Sequence, residues 1–157
     1  MERLKIDLNK ERLKIDDIKK ACVRIETSSA MLDIQKPYRL SDQSDIHAAT
    51  GFMFKYNFKG NDCIYIATCA HAVQEGIGDI KVFINSDEPN SKMHHVAKIV
   101  GLCDMDELDI AILNFEKTID LPNIPTLYYS FNSLNTGDNV CTLGYPYNTP
   151  SIVLTNG

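Results

Sequence analysis

The feature that most constrains this chain is a succession of short apolar, strand-like runs with turn signals between them. Val23-Arg24-Ile25-Glu26-Thr27 alternates apolar and polar side chains, as a strand with one buried face must. Further runs follow at Gly51–Tyr56, Cys63–Thr68, Lys81–Ile84, Val96–Val100, Ile110–Leu113 and Val140–Leu143. Turn signals separate them at Lys59-Gly60-Asn61-Asp62, Asp87-Glu88-Pro89-Asn90, Leu121-Pro122-Asn123 and Thr136-Gly137-Asp138-Asn139. Residues 28–48 are polar and irregular, contain Pro37, and read as a long loop. Many short strands with little helix between them predict an all-β fold, an antiparallel sandwich or barrel.

The first residues have a different rhythm. Glu2-Arg3-Leu4-Lys5-Ile6-Asp7 returns as Glu11-Arg12-Leu13-Lys14-Ile15-Asp16, an offset of nine residues. On a helix that is about two and a half turns, so the two copies face opposite sides and build no common stripe. Leu4, Leu8, Ile15, Ile18 and Cys22 do share a face if Glu11 interrupts it, which predicts an amphipathic helix over residues 2–19. The expected organisation is therefore an N-terminal helix in 1–20, a β-domain in 21–146 and a further segment in 147–157.

The 157 residues suffice for one domain with a proper core. A formal net charge of −5 gives no electrostatic case for nucleic acid or for an anionic membrane surface. No apolar run reaches the roughly 18 residues of a membrane span. The charged start, Met1-Glu2-Arg3-Leu4-Lys5, is not a secretory signal, so for the chain as numbered a cytoplasmic or other intracellular location is expected. Cys22, Cys63, Cys69, Cys103 and Cys141 are odd in number and irregularly spaced, which predicts reduced and mostly buried thiols rather than a disulfide framework.

Ionisable residues stand at the ends of two apolar runs. One place is Ala67-Thr68-Cys69-Ala70-His71-Ala72-Val73; the other is Asp104-Met105-Asp106-Glu107-Leu108-Asp109, leading into Ile110-Ala111-Ile112-Leu113. Strand ends of a small barrel can bring such groups together. A histidine oriented by a carboxylate is the base half of a nucleophilic triad. The plainer reading makes His71 structural and the acidic residues caps or turn residues. A metal site built on His94-His95, completed by Cys103 or by Cys69 and His71, is not expected. Neighbouring strand residues point to opposite faces, and no Cys-x-x-Cys or His-x-x-x-His spacing is present. His94, His95 and His47 read as surface or loop residues, and Tyr128, Tyr129, Tyr145 and Tyr147 as packing.

Taken in order, four stretches resemble the trypsin-like (chymotrypsin-fold) serine peptidase superfamily, and within it the HtrA/Deg branch. They are Ala49-Thr50-Gly51-Phe52; Ile66–Val73, like the segment presenting the catalytic His; Val100-Gly101 through Asp104 with Leu108–Leu113, like the Asp-Leu-Ala-Leu/Val-Leu segment; and Gly137-Asp138-Asn139-Val140, Leu143-Gly144-Tyr145-Pro146 and Thr155-Asn156-Gly157. The resemblance runs over about residues 20–157. It implies the first, six- to seven-stranded Greek-key barrel of a chymotrypsin-type fold, spanning 21–146, with 147–157 as the linker and start of a second barrel.

It also implies roles. His71 would be the general base and Asp109 its orienting carboxylate, with Asp106 and Glu107 as rivals. Asp109 is preferred because Ile110-Ala111-Ile112-Leu113 follows it as the family pattern does. Ala72 stands where disulfide-bonded digestive enzymes carry a cysteine, which favours the intracellular branch. The family's nucleophile lies in a Gly-x-Ser-Gly-Gly-type turn of the second barrel. Ser28, Ser29, Ser41, Ser44, Ser86, Ser91, Ser130, Ser133 and Ser151 all lie outside any such turn, as do the cysteines. The expectation is a peptidase barrel with no nucleophile of its own, inactive alone, needing no cofactor or metal. The competing expectation is an inactive peptidase-like module that binds protein, or half of a split peptidase. Ile152-Val153-Leu154 would start an apolar strand that pairs with a partner chain or with a second copy.

Overall fold

The computed structural model describes residues 8–32, 40–58, 61–74, 76, 78–84, 93–103, 108–117, 119, 135–146, 149 and 151–156. Helix α1 (Leu8–Ala21) leads into β1 (Cys22–Leu32), β2 (Leu40–Phe58), β3 (Asn61–Thr68), the short helix α2 (His71–Gln74), β4 (Ile80–Ile84), β5 (His95–Leu102) and β6 (Ala111–Phe115). These six strands close an antiparallel barrel in the order β1-β2-β3-β6-β5-β4. The expected all-β barrel with an N-terminal helix is what the chain forms, with six strands.

Alternation explains the closure. Val23 and Ile25 on β1, Met53 on β2, Ile66 on β3, Val82 on β4, Ala97 on β5, and Ala111, Leu113 and Phe115 on β6 point inward into one cluster. Burying an aliphatic or methionine side chain of this size stabilises by about 1.5–3 kcal/mol. Ala70 and Val73, from the turn after β3, plug the same core. One inward position must be empty of side chain. A Cβ on Gly51 would lie 2.7 Å from Ile25 Cδ1 and 2.8 Å from Ile66 Cγ2, so β1, β2 and β3 can approach only over a glycine.

Residues 28–48 correct the expectation of a loop. β1 continues to Leu32 and β2 begins at Leu40, with Thr27 opposite His47, Ser28 opposite Ile46 and Ser29 opposite Asp45. The ladder of main-chain hydrogen bonds holds this hairpin extended although its side chains carry no clean apolar alternation. Residues 33–39, with Pro37, lie outside the described residues, as do the turn signals at 87–90 and 121–123.

The run at Val140–Leu143 does form a strand, β7 (Cys141–Gly144), but outside the barrel: it pairs with β8 (Val153–Asn156) in a two-stranded sheet. Thr50 ties this hairpin to the barrel. Its Oγ1 accepts the Tyr145 N–H at 2.8 Å, and a Cβ on Gly144 would stand 2.9 Å from the same atom. Tyr145 is buried there. The turn before β7 is made as expected, with Gly137 at φ 94°.

The helix runs two residues further than the expected end at 19, and its expected start at residues 2–7 lies outside the described residues. The thiols are less buried than expected. All five are free, but only Cys22 is buried, whereas Cys69, Cys103 and Cys141 are exposed. No helix among the described residues is long and apolar enough to cross a membrane.

Gly51→Ala is expected to destabilise the barrel by about 1–3 kcal/mol, measured by urea unfolding. Adding Ile25→Val removes the Cδ1 that the new methyl meets. The double variant should therefore lose less than the sum of the two single losses. A strictly additive cycle would contradict the close-approach account.

Candidate active site

The register between β3 and β6 makes the site. Thr68 pairs with Ala111, and Ile66 with Leu113. His71 follows Thr68 by three residues and Asp109 precedes Ala111 by two, so both emerge at the same end of the barrel. The chain between Thr68 and His71 is fixed from below. Ala70 is fully buried and Val73 nearly so. The Val73 and Gln74 N–H groups both donate to the Ala70 carbonyl, at 3.1 and 3.0 Å, winding the single turn of α2. His71, between these anchors, faces outward with 66% of its side chain exposed.

Asp109 accepts twice from the same residue. Its Oδ1 takes the His71 backbone N–H at 2.8 Å, and its Oδ2 takes the ring Nδ1–H at 2.5 Å. The first bond fixes where the α2 turn sits relative to the carboxylate; the second fixes the imidazole. With Nδ1 donating, the neutral ring carries its free lone pair on Nε2, which points away from the carboxylate. Asp109 itself is held in place by its own segment. The Cys103 N–H donates to the Ile110 carbonyl at 2.9 Å, closing the β5–β6 loop just behind it.

The electrostatics follow. The His71 backbone N–H, then its ring, hold the Asp109 carboxyl below its ordinary value of 3.8, with the Ala70 backbone adding to the effect and partial burial opposing it. Cys69, two residues before His71, moves the other way: partial burial, and next the charge of Asp109, push its thiol up.

Two threonines that the sequence reading did not single out position the turn. Thr27, buried on β1, donates from Oγ1 to the Ala72 carbonyl at 3.0 Å, tying α2 to a strand that β2 separates from β3. Thr68 donates to the Thr50 carbonyl at 2.9 Å. A threonine in a strand carries no signal of such a duty, since it is an ordinary strand former. Beside His71 opens a cavity of about 230 Å³ whose lining includes Thr27, Ser29, His47, Ala48 and Gly76. Ser29 and His47 share a hydrogen bond of 2.9 Å across the hairpin. His47 thus belongs to β2 and to this wall, not to a loop.

The rivals Asp106 and Glu107 lie outside the described residues. His94 and His95 stand away from the His71–Asp109 pair, against Phe83 and Phe115 respectively. Tyr128, Tyr129 and Tyr147 lie outside the described residues.

Among solved structures, an HtrA-type protease, AlgW, determined as a variant with a decapeptide, matches 93% of this chain with a TM-score of 0.64 at 19% identity. The fold is that of a trypsin-like barrel. The chain spans 43% of that protein's length. No family model matches the sequence, and no curated protein matches it either.

The depressed Asp109 carboxyl has a consequence for stability. A group lowered in the folded state stabilises the fold above its ordinary value, and that contribution is lost as pH falls through the lowered one. Thermal midpoints of the wild type and Asp109→Asn should therefore differ most above about pH 5 and converge as the pH drops towards 2. A gap that stays constant across this range would contradict the assignment.

Proposed function

We propose that this chain is the His–Asp half of a trypsin-like serine endopeptidase of the HtrA/Deg type. The observation that carries the reading is the double acceptance by Asp109 of the His71 ring and backbone, on the two segments whose sequences resemble that family. His71 Nε2 takes the proton of a serine hydroxyl as that oxygen attacks the peptide carbonyl. Asp109 holds the Nδ1–H tautomer and stabilises the imidazolium that forms. His71 then returns the proton to the leaving amine, and water resolves the acyl-enzyme by the same base.

The serine and the oxyanion donors come from polypeptide other than these 157 residues, since no serine here stands in a glycine-rich turn. A further barrel pairing onto the β7–β8 hairpin, where Val153 and Leu154 and the preceding Val140 are exposed, belongs to the same reading. Peptide or protein is the substrate class, and the triad chemistry itself requires no cofactor.

The test uses the polypeptide as isolated from its native source, assayed for casein hydrolysis. His71→Ala should abolish turnover, and Asp109→Asn should lower kcat by roughly 10⁴, the size of the effect when a triad aspartate loses its charge, with KM little changed. The 157-residue chain alone should hydrolyse no casein above buffer. Hydrolysis that survives His71→Ala would remove the peptidase reading and leave a protein-binding module.

A further inference from the structure

The carboxylate and imidazole of the pair have a third neighbour. The Cys69 thiol, a His71 ring nitrogen and an Asp109 carboxylate oxygen all lie within 4.8 Å of one another. They come from two separate segments, the β3–α2 turn and the approach to β6, and Cys69 and His71 are exposed while Asp109 is half-buried. Among the described residues no other group of three histidine, cysteine or acidic side chains converges in this way. Sequence spacing could not announce it, because Asp109 lies 38 residues beyond His71.

We propose that Cys69, His71 and Asp109 form a site for a borderline-soft divalent transition ion of the zinc type. A thiolate, an imidazole and a carboxylate are the donor set that such ions prefer over magnesium or calcium. Bond lengths of about 2.0–2.3 Å place tetrahedral donors roughly 3.3–3.8 Å apart. Binding an ion requires the 2.5 Å contact between His71 Nδ1 and Asp109 Oδ2 to open to that spacing, with the thiol already within 4.8 Å of both. One outer hydrogen bond is already built. The His71 backbone N–H on Asp109 Oδ1, at 2.8 Å, orients the carboxylate independently of the ring. Three protein ligands leave the fourth position to water, so the site is open rather than closed.

An ion there takes the carboxylate and the imidazole out of their mutual hydrogen bond. In the peptidase this withdraws the general base and makes hydrolysis reversibly metal-sensitive. That consequence rests on the proposed function, whereas the site does not.

The experiment titrates the reduced, metal-free 157-residue chain with Co²⁺ and follows absorbance. Binding should produce visible ligand-field bands together with a near-ultraviolet thiolate-to-cobalt charge-transfer band, and Zn²⁺ should displace both. Cys69→Ser should remove the charge-transfer band. Cys69→Ser and Asp109→Asn should each weaken binding by at least the roughly 10- to 100-fold that even an outer-shell partner is worth. Cys103→Ser and Cys141→Ser should bind as the wild type does, and far-ultraviolet circular dichroism shows whether each variant is folded. Absence of a charge-transfer band in the wild type, or a band that survives Cys69→Ser in a folded protein, would overturn the site. Since the readout is absorbance, a failure of the catalytic reading leaves this result unchanged, and the reverse also holds.

Discussion

The whole His71–Asp109 end of this molecule depends on β1 pairing with both β2 and β4, because that closes the sheet on itself. Closure turns one face of six strands into an interior, and the interior is filled by Ile25, Met53, Ile66, Val82 and Leu113 without exposure. The three strands that cross at Gly51 come so close that a single methyl there would overlap Ile25 and Ile66. A closed sheet has no free edges to protect. It also has fixed register, so a residue just past the end of one strand has a determined neighbour past the end of the next.

His71 and Asp109 inherit their positions from that register. The Thr68–Ala111 pairing sets the two chain ends side by side, and Ala70 and Val73 sink the intervening turn into the core. Thr27 then ties the turn to β1. The carboxylate therefore meets a backbone N–H and a ring N–H that are both held from below. The same rigidity brings Cys69 close enough to compete for the pair through a metal ion. An imidazole whose partner carboxylate is 38% exposed is also accessible to ions, which is the physical link between the two proposals.

How far the sequence revealed this depended on which forces left a mark in it. The core strands were legible because alternation of Val23, Ile25 and Thr27 with Arg24 and Glu26 is what one buried face demands. The pair was named through the likeness of Ile66–Val73 and Leu108–Leu113 to a known family, since apolar runs beside a histidine and an aspartate do not by themselves distinguish a site from a turn. The outer half of the β1–β2 hairpin was not legible. Ser28, Ser29, Asp45 and His47 bear no apolar pattern, and their strands are held by main-chain hydrogen bonds that every residue type can make. Nor could the run at Val140–Leu143 be told from a barrel strand, since pairing partners are not written in a local period. The exposure of the thiols leaves no mark in the sequence for a related reason. Cysteine's general preference for the interior says nothing about Cys69, Cys103 and Cys141, which stand at or beyond strand ends.

The central claim is that Asp109 selects one tautomer of His71 and thereby leaves Nε2 free to act as a base. The most direct measurement is a long-range ¹H–¹⁵N correlation spectrum of the labelled, metal-free chain at a pH where the ring is neutral. The account requires the proton on Nδ1 and an unprotonated Nε2, with that preference disappearing in Asp109→Asn. A ring protonated on Nε2, or one averaging equally between the two tautomers in the wild type, would contradict it.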